Sequence, residues 1–103
     1  MTMNNGYILE ARFDSRQSFY GKAKVEIKAD EMTYNELLYS YGTLVAIYTQ
    51  DKITENEVYT YCGKFSQTTT RHQKEFFYQK GLGSKQVKEL MKNGTHNVLE
   101  VEN

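Results

Sequence analysis

The sequence predicts an α+β domain, with a mainly antiparallel sheet of about four to five strands and two helices from the C-terminal half packed on one face. One indication is an alternating run in which Ala23, Val25 and Ile27 face one side. A second is a pair of segments rich in β-branched and aromatic residues, Thr43–Tyr48 and Val58–Phe65, which predict strands. A third is the helical spacing of the apolar residues that follow these strands.

The N-terminal part is expected to contribute two strands. Met1–Gly6 is polar and expected to be frayed, whereas Tyr7–Phe13 alternates like a strand. A polar break at Asp14–Gln17 separates it from the alternating run, where Gly21 predicts a bulge or a close backbone approach. Charged residues occupy the outward positions of that run, so one face of the sheet is expected to contact water. These residues are Lys22, Lys24, Glu26 and Lys28.

The stretch Asp30–Tyr41 leaves two alternatives open. Asp30 or Thr33 could cap a short helix that carries Leu37 and Leu38. The same stretch could equally be a loop that leads into the next strand.

The remaining sheet segments complete one domain. Thr49–Glu57 is polar and lies between two strand candidates, which predicts a hairpin with a long exposed tip. His96–Val101 predicts a final strand. Because no repeat, linker or low-complexity tract interrupts the chain, residues 1–103 are expected to form a single domain.

The first helix is expected to begin among three threonines. Thr70 and Gln73 have the spacing of a capping box, and Thr68 and Thr69 are rival caps. The side chains expected on its half-buried stripe are His72, Phe76 and Phe77.

A shorter helix is expected next. Gly81 and Gly83 tolerate left-handed backbone and should end the first helix, after which Ser84 caps the second. Asn93–Gly94 is expected to stop it. Its inward-facing residues are expected to be Val87, Leu90 and Met91.

The composition excludes several classes of protein. Thirteen basic and thirteen acidic residues give a formal net charge of zero, which excludes a histone-like coat of positive charge. The single cysteine excludes an intrachain disulfide and indicates a reducing compartment. No stretch approaches the roughly 18 apolar residues of a membrane span, and Met1–Asn5 lacks the features of a signal peptide. A cytoplasmic protein without membrane contact is therefore expected.

Catalysis has few candidate groups. A nucleophile would require Cys62 and His72 to meet in an open cleft. Cys62 lies within a predicted strand and His72 on an apolar helical stripe, so structural roles are expected for both. The histidines and the cysteine lack the spacing of a zinc site, and Gly81–Ser84 does not follow a strand as a phosphate loop does. A non-enzymatic protein with no metal and no cofactor is predicted.

The charge distribution indicates a binding surface. Residues 66–94 hold six basic and two acidic side chains, a net charge of +4. This cationic part could meet phosphates or an acidic protein, or it could simply be the solvated face of amphipathic helices. Likewise Ser66–Arg71 could form an anion pocket or only cap a helix. The candidate binding residues, which include two tyrosines suited to contact surfaces, are Arg71, Lys74, Tyr78, Lys85, Lys88, Lys92, Tyr39 and Tyr41.

Three short sequence segments, which we call the three phrases, resemble a known family. They are Ser18–Ala23, Leu38–Ala46 and Ser66–His72 followed by Phe76. Together they resemble a small domain family of unknown function from phages and mobile elements, over about residues 13–81. The resemblance implies a short accessory gene product that acts in a bacterial cytoplasm. Several small proteins of this background resemble anti-CRISPR inhibitors of type II effector nucleases.

The leading hypothesis is therefore a non-enzymatic inhibitor or adaptor, encoded by a mobile element, that binds a host defence protein or its nucleoprotein complex through the basic helical face and neighbouring tyrosines. The alternative is a nucleic-acid-binding accessory factor with Arg71, Lys74 and Lys88 on phosphates and Tyr78 stacked on a base.

Overall fold

The computed structural model describes residues 5–14 and 19–103, which build a six-stranded antiparallel sheet and two helices. The strands are β1 (Asn5–Ile8), β2 (Ala23–Ala29), β3 (Thr33–Ser40), β4 (Thr43–Asp51), β5 (Glu57–Tyr61) and β6 (Asn97–Val101). The helices, α1 (Gln67–Gln79) and α2 (Ser84–Leu90), lie between β5 and β6 and are followed by a 3₁₀ turn at Lys92–Gly94. Neighbouring strands in the sheet follow chain order from β1 to β6, and every pair is antiparallel. The predicted α+β class is confirmed, but the sheet has six strands rather than four to five.

The additional strand is β3, in the stretch for which a helix and a loop were the two alternatives. Both alternatives are wrong. The inward-facing side chains of β3 include Glu36 and Ser40, which are buried although polar, and so the strand does not alternate in hydropathy. Asp30 caps no helix; its carboxylate accepts hydrogen bonds from the backbone N–H groups of Met32 and Thr33, both at 2.8 Å, and thereby turns the chain from β2 into β3.

The first strand is shorter and begins earlier than predicted. It ends at Ile8, and the backbone N–H groups of Phe13 and Asp14 donate to the carboxylate of Glu75 at 2.8 Å instead of joining a strand ladder. Of the segment expected to be frayed, residues 5 and 6 belong to β1, and residues 1–4 lie outside the described residues. Residues 15–17 of the expected polar break also lie outside them.

Two tight turns of the same kind lie side by side, one directly before β2 and the other between β3 and β4. Gly21 forms no bulge: Tyr20 and Gly21 have φ values of 52° and 71° and make a turn closed by a 3.0 Å bond from Lys22 N to Phe19 O. Tyr41 and Gly42, with φ values of 52° and 83°, connect β3 to β4. Two consecutive positive φ angles characterise type I′ turns. The irregularity in register lies instead between the β3 residues Leu38 and Tyr39.

The β4–β5 hairpin has a shorter tip than predicted. β4 continues to Asp51 instead of ending at Tyr48, and β5 begins at Glu57. Residues 52–56 remain as the tip, which Asp51 organises by accepting bonds from the N–H groups of Ile53 and Thr54 at 2.8 and 2.9 Å. β5 then ends at Tyr61, four residues before the predicted boundary.

The helix boundaries correct the predicted caps. Ser66 is the N-cap of α1 and accepts a hydrogen bond from Thr69 N at 3.1 Å, so none of the three threonines caps the helix. Gln73 does not complete a capping box, because its amide is buried against the sheet. α2 is capped by Gly83 rather than Ser84, with Gln86 Oε1 accepting from Gly83 N at 2.9 Å.

The helix ends follow the prediction at Gly81 and at Asn93–Gly94 but not at Gly83. Gly81 adopts a φ of 105° directly after the α1 C-cap, whereas Gly83 has an extended backbone with a φ of −79°. Asn93 and Gly94, at 62° and 66°, interrupt the helical backbone after α2.

The core lies between the helices and one face of the sheet. The predicted stripes are confirmed, since His72, Phe76 and Phe77 of α1 and Val87 and Leu90 of α2 are all buried. From the sheet, the largest fully buried contributors are Tyr59, Tyr61, Leu38 and Val45. This packing leaves Lys74, Lys85 and Lys88 exposed on the helices, whereas the Glu75 carboxylate of α1 is buried.

Candidate functional site

The six basic side chains of residues 66–94 fall into two groups. Arg71 forms a two-pronged pair with Asp14, with Nε–Oδ2 and Nη2–Oδ1 distances of 3.0 and 2.8 Å. Lys80 forms an ion pair with the buried carboxylate of Glu36. The other four are exposed and have no carboxylate within ion-pair distance in the part of the chain that the structure describes: Lys74, Lys85, Lys88 and Lys92.

Lys74 and Lys88, from different helices, border one groove of about 340 Å³. Lys64, from the connection between β5 and α1, adds a third ammonium group. We call this the helix groove, and it is lined mainly by Lys64, Thr70, Lys74, Tyr78, Lys88 and Met91. Three of the predicted residues therefore meet there, namely Lys74, Tyr78 and Lys88.

Lys64 is the member of the helix groove that the sequence did not indicate. It falls within the predicted strand Val58–Phe65, and a charge count over residues 66–94 omits it. In the structure its backbone N–H donates to Gly94 O at 2.8 Å, which brings the connection alongside the end of α2. A basic residue two positions before the helix N-cap Ser66 was the signal that could have identified it.

The remaining predicted residues lie elsewhere. Lys85 and Lys92 are exposed on α2 and in the turn after it but do not line the helix groove. Tyr39 and Tyr41 border a different groove of about 370 Å³, which we call the turn groove. It is lined by Gly21, Lys22, Lys24, Tyr39, Tyr41 and Gly42. The predicted residues thus occupy two separate surfaces.

The corner around Ser66 is occupied by internal hydrogen bonds. The Ser66 hydroxyl donates to Thr69 Oγ1 at 3.1 Å, and Thr69 Oγ1 lies 2.9 Å from Ser40 Oγ. Ser40 Oγ in turn lies 2.8 Å from His72 Nδ1. If each hydroxyl donates to the next atom in this series, His72 Nδ1 accepts the last hydrogen bond. The imidazole proton then lies on Nε2, which has no partner among the described residues. The hydroxyls therefore support a helix start and a buried imidazole, which agrees with the capping alternative.

The catalytic pairing of Cys62 and His72 is not formed. Cys62 follows the last residue of β5, its backbone N–H donates to Val45 O at 3.2 Å, and the hydrogen bond of His72 Nδ1 within the described residues goes to Ser40 Oγ. Burial raises the pKa of the Cys62 thiol, which disfavours the thiolate. Ser40 and His72 do form a close pair, but both are almost fully buried, so a substrate has no access to the serine hydroxyl.

The buried imidazole predicts a pH dependence of stability. Burial, reinforced by the nearby Arg71 guanidinium, lowers the pKa of His72, so the folded state keeps it neutral while the unfolded state takes up a proton. The free energy of unfolding is expected to fall by up to about 1 kcal/mol between about pH 7.5 and about pH 5.5, as the pH passes below the ordinary histidine pKa. Urea unfolding at several pH values measures this. In His72→Gln the slope should flatten, and an unchanged slope would contradict the assignment.

The described residues contain neither a metal-binding cluster nor a helix that could span a membrane. Within residues 5–14 and 19–103, no three His, Cys, Asp or Glu residues are grouped so as to hold a metal ion. Over the same residues, neither helix has the length and apolar character required to span a bilayer.

Comparison with known proteins places the chain in a family. The model of a family of unknown function, DUF8033, matches residues 7–93. The chain belongs to the DUF8033 family. The DUF8033 match extends beyond the span of about 13–81 that the three phrases indicated, and it includes α2 with its lysines. No curated protein and no solved structure matches the chain.

In this DUF8033 protein the three phrases meet around one side chain. The His72 ring packs edge to face against Phe19 from the first phrase, with ring centroids 4.5 Å apart. Ser40 from the second phrase contacts His72 Nδ1, and Tyr41 stacks on the ring at 5.9 Å. The phrases therefore define a structural junction between the two turns and α1, next to the turn groove.

Proposed function

We propose that this DUF8033 protein is a non-enzymatic binding protein that docks an acidic partner in the helix groove. The observation that carries the proposal is the convergence of Lys64, Lys74 and Lys88 on one groove beside Tyr78. None of the three ammonium groups has a carboxylate within ion-pair distance in the described ranges. Like charges gathered without counter-charges create a positive potential that attracts an anionic surface.

The aromatic and apolar side chains that line the groove favour a macromolecular partner over a free ion. Tyr78 and Met91 are half-buried and line the groove together with the lysines. A partner that covers these side chains gains apolar burial in addition to charge pairing. The lysine stems can pack along such a partner while their ammonium groups reach its carboxylates.

The proposed partner is a host defence protein or its nucleoprotein complex in the cytoplasm of a bacterial host, most concretely a type II CRISPR effector nuclease. In this form the protein is an anti-CRISPR inhibitor of a phage or mobile element. Support comes from the resemblance of the three phrases, which implies a mobile-element origin, and from the small size and the cationic groove.

The second candidate function is a nucleic-acid-binding accessory factor. The presence of Tyr78 in the same groove as Lys74 and Lys88 favours it, because an aromatic ring near cations can stack on a base while the lysines contact phosphates. The sequence analysis placed Arg71 on a phosphate as well, but in the structure the Arg71 guanidinium forms an ion pair with Asp14. Nucleic-acid binding would weaken steeply with salt, in proportion to the number of phosphates contacted.

Charge reversal in the helix groove tests the proposal. Lys74→Glu/Lys88→Glu is expected to weaken association with a purified effector–guide complex by at least about tenfold, because like charges then face the acidic partner. The matched control is Lys85→Glu/Lys92→Glu, which makes the same change in net charge outside the groove and should bind within about twofold of the unmodified protein. Co-migration and target-cleavage assays measure both. Equal loss in the two variants, or no binding by the unmodified protein, would contradict the proposal.

A further inference from the structure

The two tight turns place tyrosines at positions where other residues are usual. Tyr20 and Tyr41 occupy the first central position of their type I′ turns, where Asn, Asp and Gly are the usual residues. A left-handed backbone is uncommon and costly for a bulky side chain. Tyr41 is 59% exposed and lines the turn groove, whereas Tyr20 does not line it. A strained, exposed residue at the border of a groove points to a role in binding.

The Tyr41 ring is held in position. Its backbone N–H donates to Lys22 O at 3.0 Å, which joins the two turns directly. Its ring stacks on His72, with centroids 5.9 Å apart and planes inclined by 29°. His72 is fixed in turn by Ser40. An exposed ring that is already ordered loses little conformational entropy when a ligand binds to it.

The positive charges beside the Tyr41 ring favour an anionic ligand. Lys22 and Lys24 line the turn groove, and both are exposed. No acidic side chain lines the groove, and neither lysine has a carboxylate within ion-pair distance over residues 5–14 and 19–103. The groove thus combines aromatic rings with two cationic groups.

We infer that the turn groove binds a segment of single-stranded nucleic acid, with Tyr41 stacked on a base and Lys22 and Lys24 on phosphates. A single strand supplies both unstacked bases and regularly spaced phosphates. A duplex keeps its bases stacked on one another, and the anionic groups of an acidic peptide, its carboxylates, carry no planar ring that could stack on Tyr41. This inference is independent of the helix groove, because the two grooves share no lining residue.

The test measures fluorescence anisotropy of the full chain with a labelled oligothymidylate of about 15 nucleotides, a length that covers the site sizes of small stacking domains. Tyr41→Asn keeps a residue suited to left-handed backbone but removes the ring, so affinity should fall at least about tenfold while the urea midpoint does not decrease. Lys22→Ala/Lys24→Ala should reduce the slope of log Kd against log salt concentration by about 1.4, or about 0.7 for each phosphate that the variant no longer neutralises.

Two controls make the outcome decisive. The helix-groove variant Lys74→Glu/Lys88→Glu should bind the oligothymidylate less tightly only through its change in net charge, within about threefold of Lys85→Glu/Lys92→Glu. A polyphosphate of equal charge should compete poorly, since it has no bases to stack. The inference is overturned if the unmodified protein does not bind the oligothymidylate at low salt, if Tyr41→Asn binds normally, or if polyphosphate, duplex or an acidic protein binds the groove equally well.

Discussion

Lys80→Ala is expected to lower the free energy of unfolding by about 3–5 kcal/mol, one of the two largest effects of any single substitution that we predict. The reason is that the change leaves the carboxylate of Glu36 buried without its counter-charge. The Glu36 and Lys80 side chains are only 4% and 16% exposed. Burial alone would raise the pKa of Glu36, but donors from Lys80, Tyr7 and Tyr34 outweigh it and hold that pKa below its usual value.

The surroundings of Lys80 strengthen this expectation. Its Nζ atom lies 5.3, 5.6 and 5.7 Å from the ring centroids of Tyr48, Phe76 and Tyr7, so three aromatic rings share the ammonium group. The Tyr7 and Tyr34 hydroxyls donate to the Glu36 carboxylate at 2.5 and 2.8 Å. Removal of the ammonium group therefore affects the ion pair and the ring cage together.

A double variant separates charge imbalance from loss of packing. Lys80→Met with Glu36→Gln removes both charges but keeps an acceptor oxygen for the Tyr7 and Tyr34 hydroxyls, and it should restore stability to within about 1 kcal/mol of the unmodified protein. Urea unfolding of the single and double variants measures the difference. A cost below about 1 kcal/mol for Lys80→Ala would show that water reaches the Glu36 carboxylate.

Gln73→Glu is expected to cost about 2–4 kcal/mol at neutral pH. The Gln73 amide is fully buried, and its Nε2 donates to Val45 O at 2.9 Å and to Gly63 O at 3.0 Å, which joins α1 to β4 and to the chain after β5. A carboxylate of the same shape would face two carbonyl oxygens without a hydrogen to donate. The desolvated carboxylate would also have a raised pKa, so the penalty should shrink as the pH falls toward the ordinary glutamate value.

Thr70→Ala is the control for this prediction. If Thr70 and Gln73 formed the capping box that their spacing suggested, the alanine variant would lose about 1 kcal/mol. Because Ser66 is the N-cap, we expect a loss below about 0.5 kcal/mol. Similar losses in the threonine and glutamine variants would contradict the anchoring role of Gln73.

Local patterns were sufficient to predict the class of fold. The alternation of Ala23 and Val25 and the stripe of Phe76 and Phe77 predict a strand and a helix correctly, because each apolar side chain there faces the core. β3 could not be predicted in this way, because its residues Glu36 and Ser40 face the core although they are polar. Their partners come from a distant helix, and a pattern within one segment carries no information about such partners.

The binding surface was less predictable for the same reason. Arg71 and Lys80 count as surface cations in the sequence, yet their carboxylate partners lie 57 and 44 positions away along the chain. Lys64 joins the helix groove only because its connection packs beside the end of α2. Helical spacing groups residues on one element, whereas a groove is made between elements.

The chain-order sheet also bears on how the protein folds. Strands β2 to β5 each pair with the strand directly before them, and the β2–β3, β3–β4 and β4–β5 connections are short (residues 30–32, 41–42 and 52–56), so these three pairings have a low cost in loop entropy. β6 is different, since it pairs with β5 only across residues 62–96, which include both helices. We therefore expect the five-strand meander to assemble first, and the last strand to close the sheet after the helices have collapsed onto it.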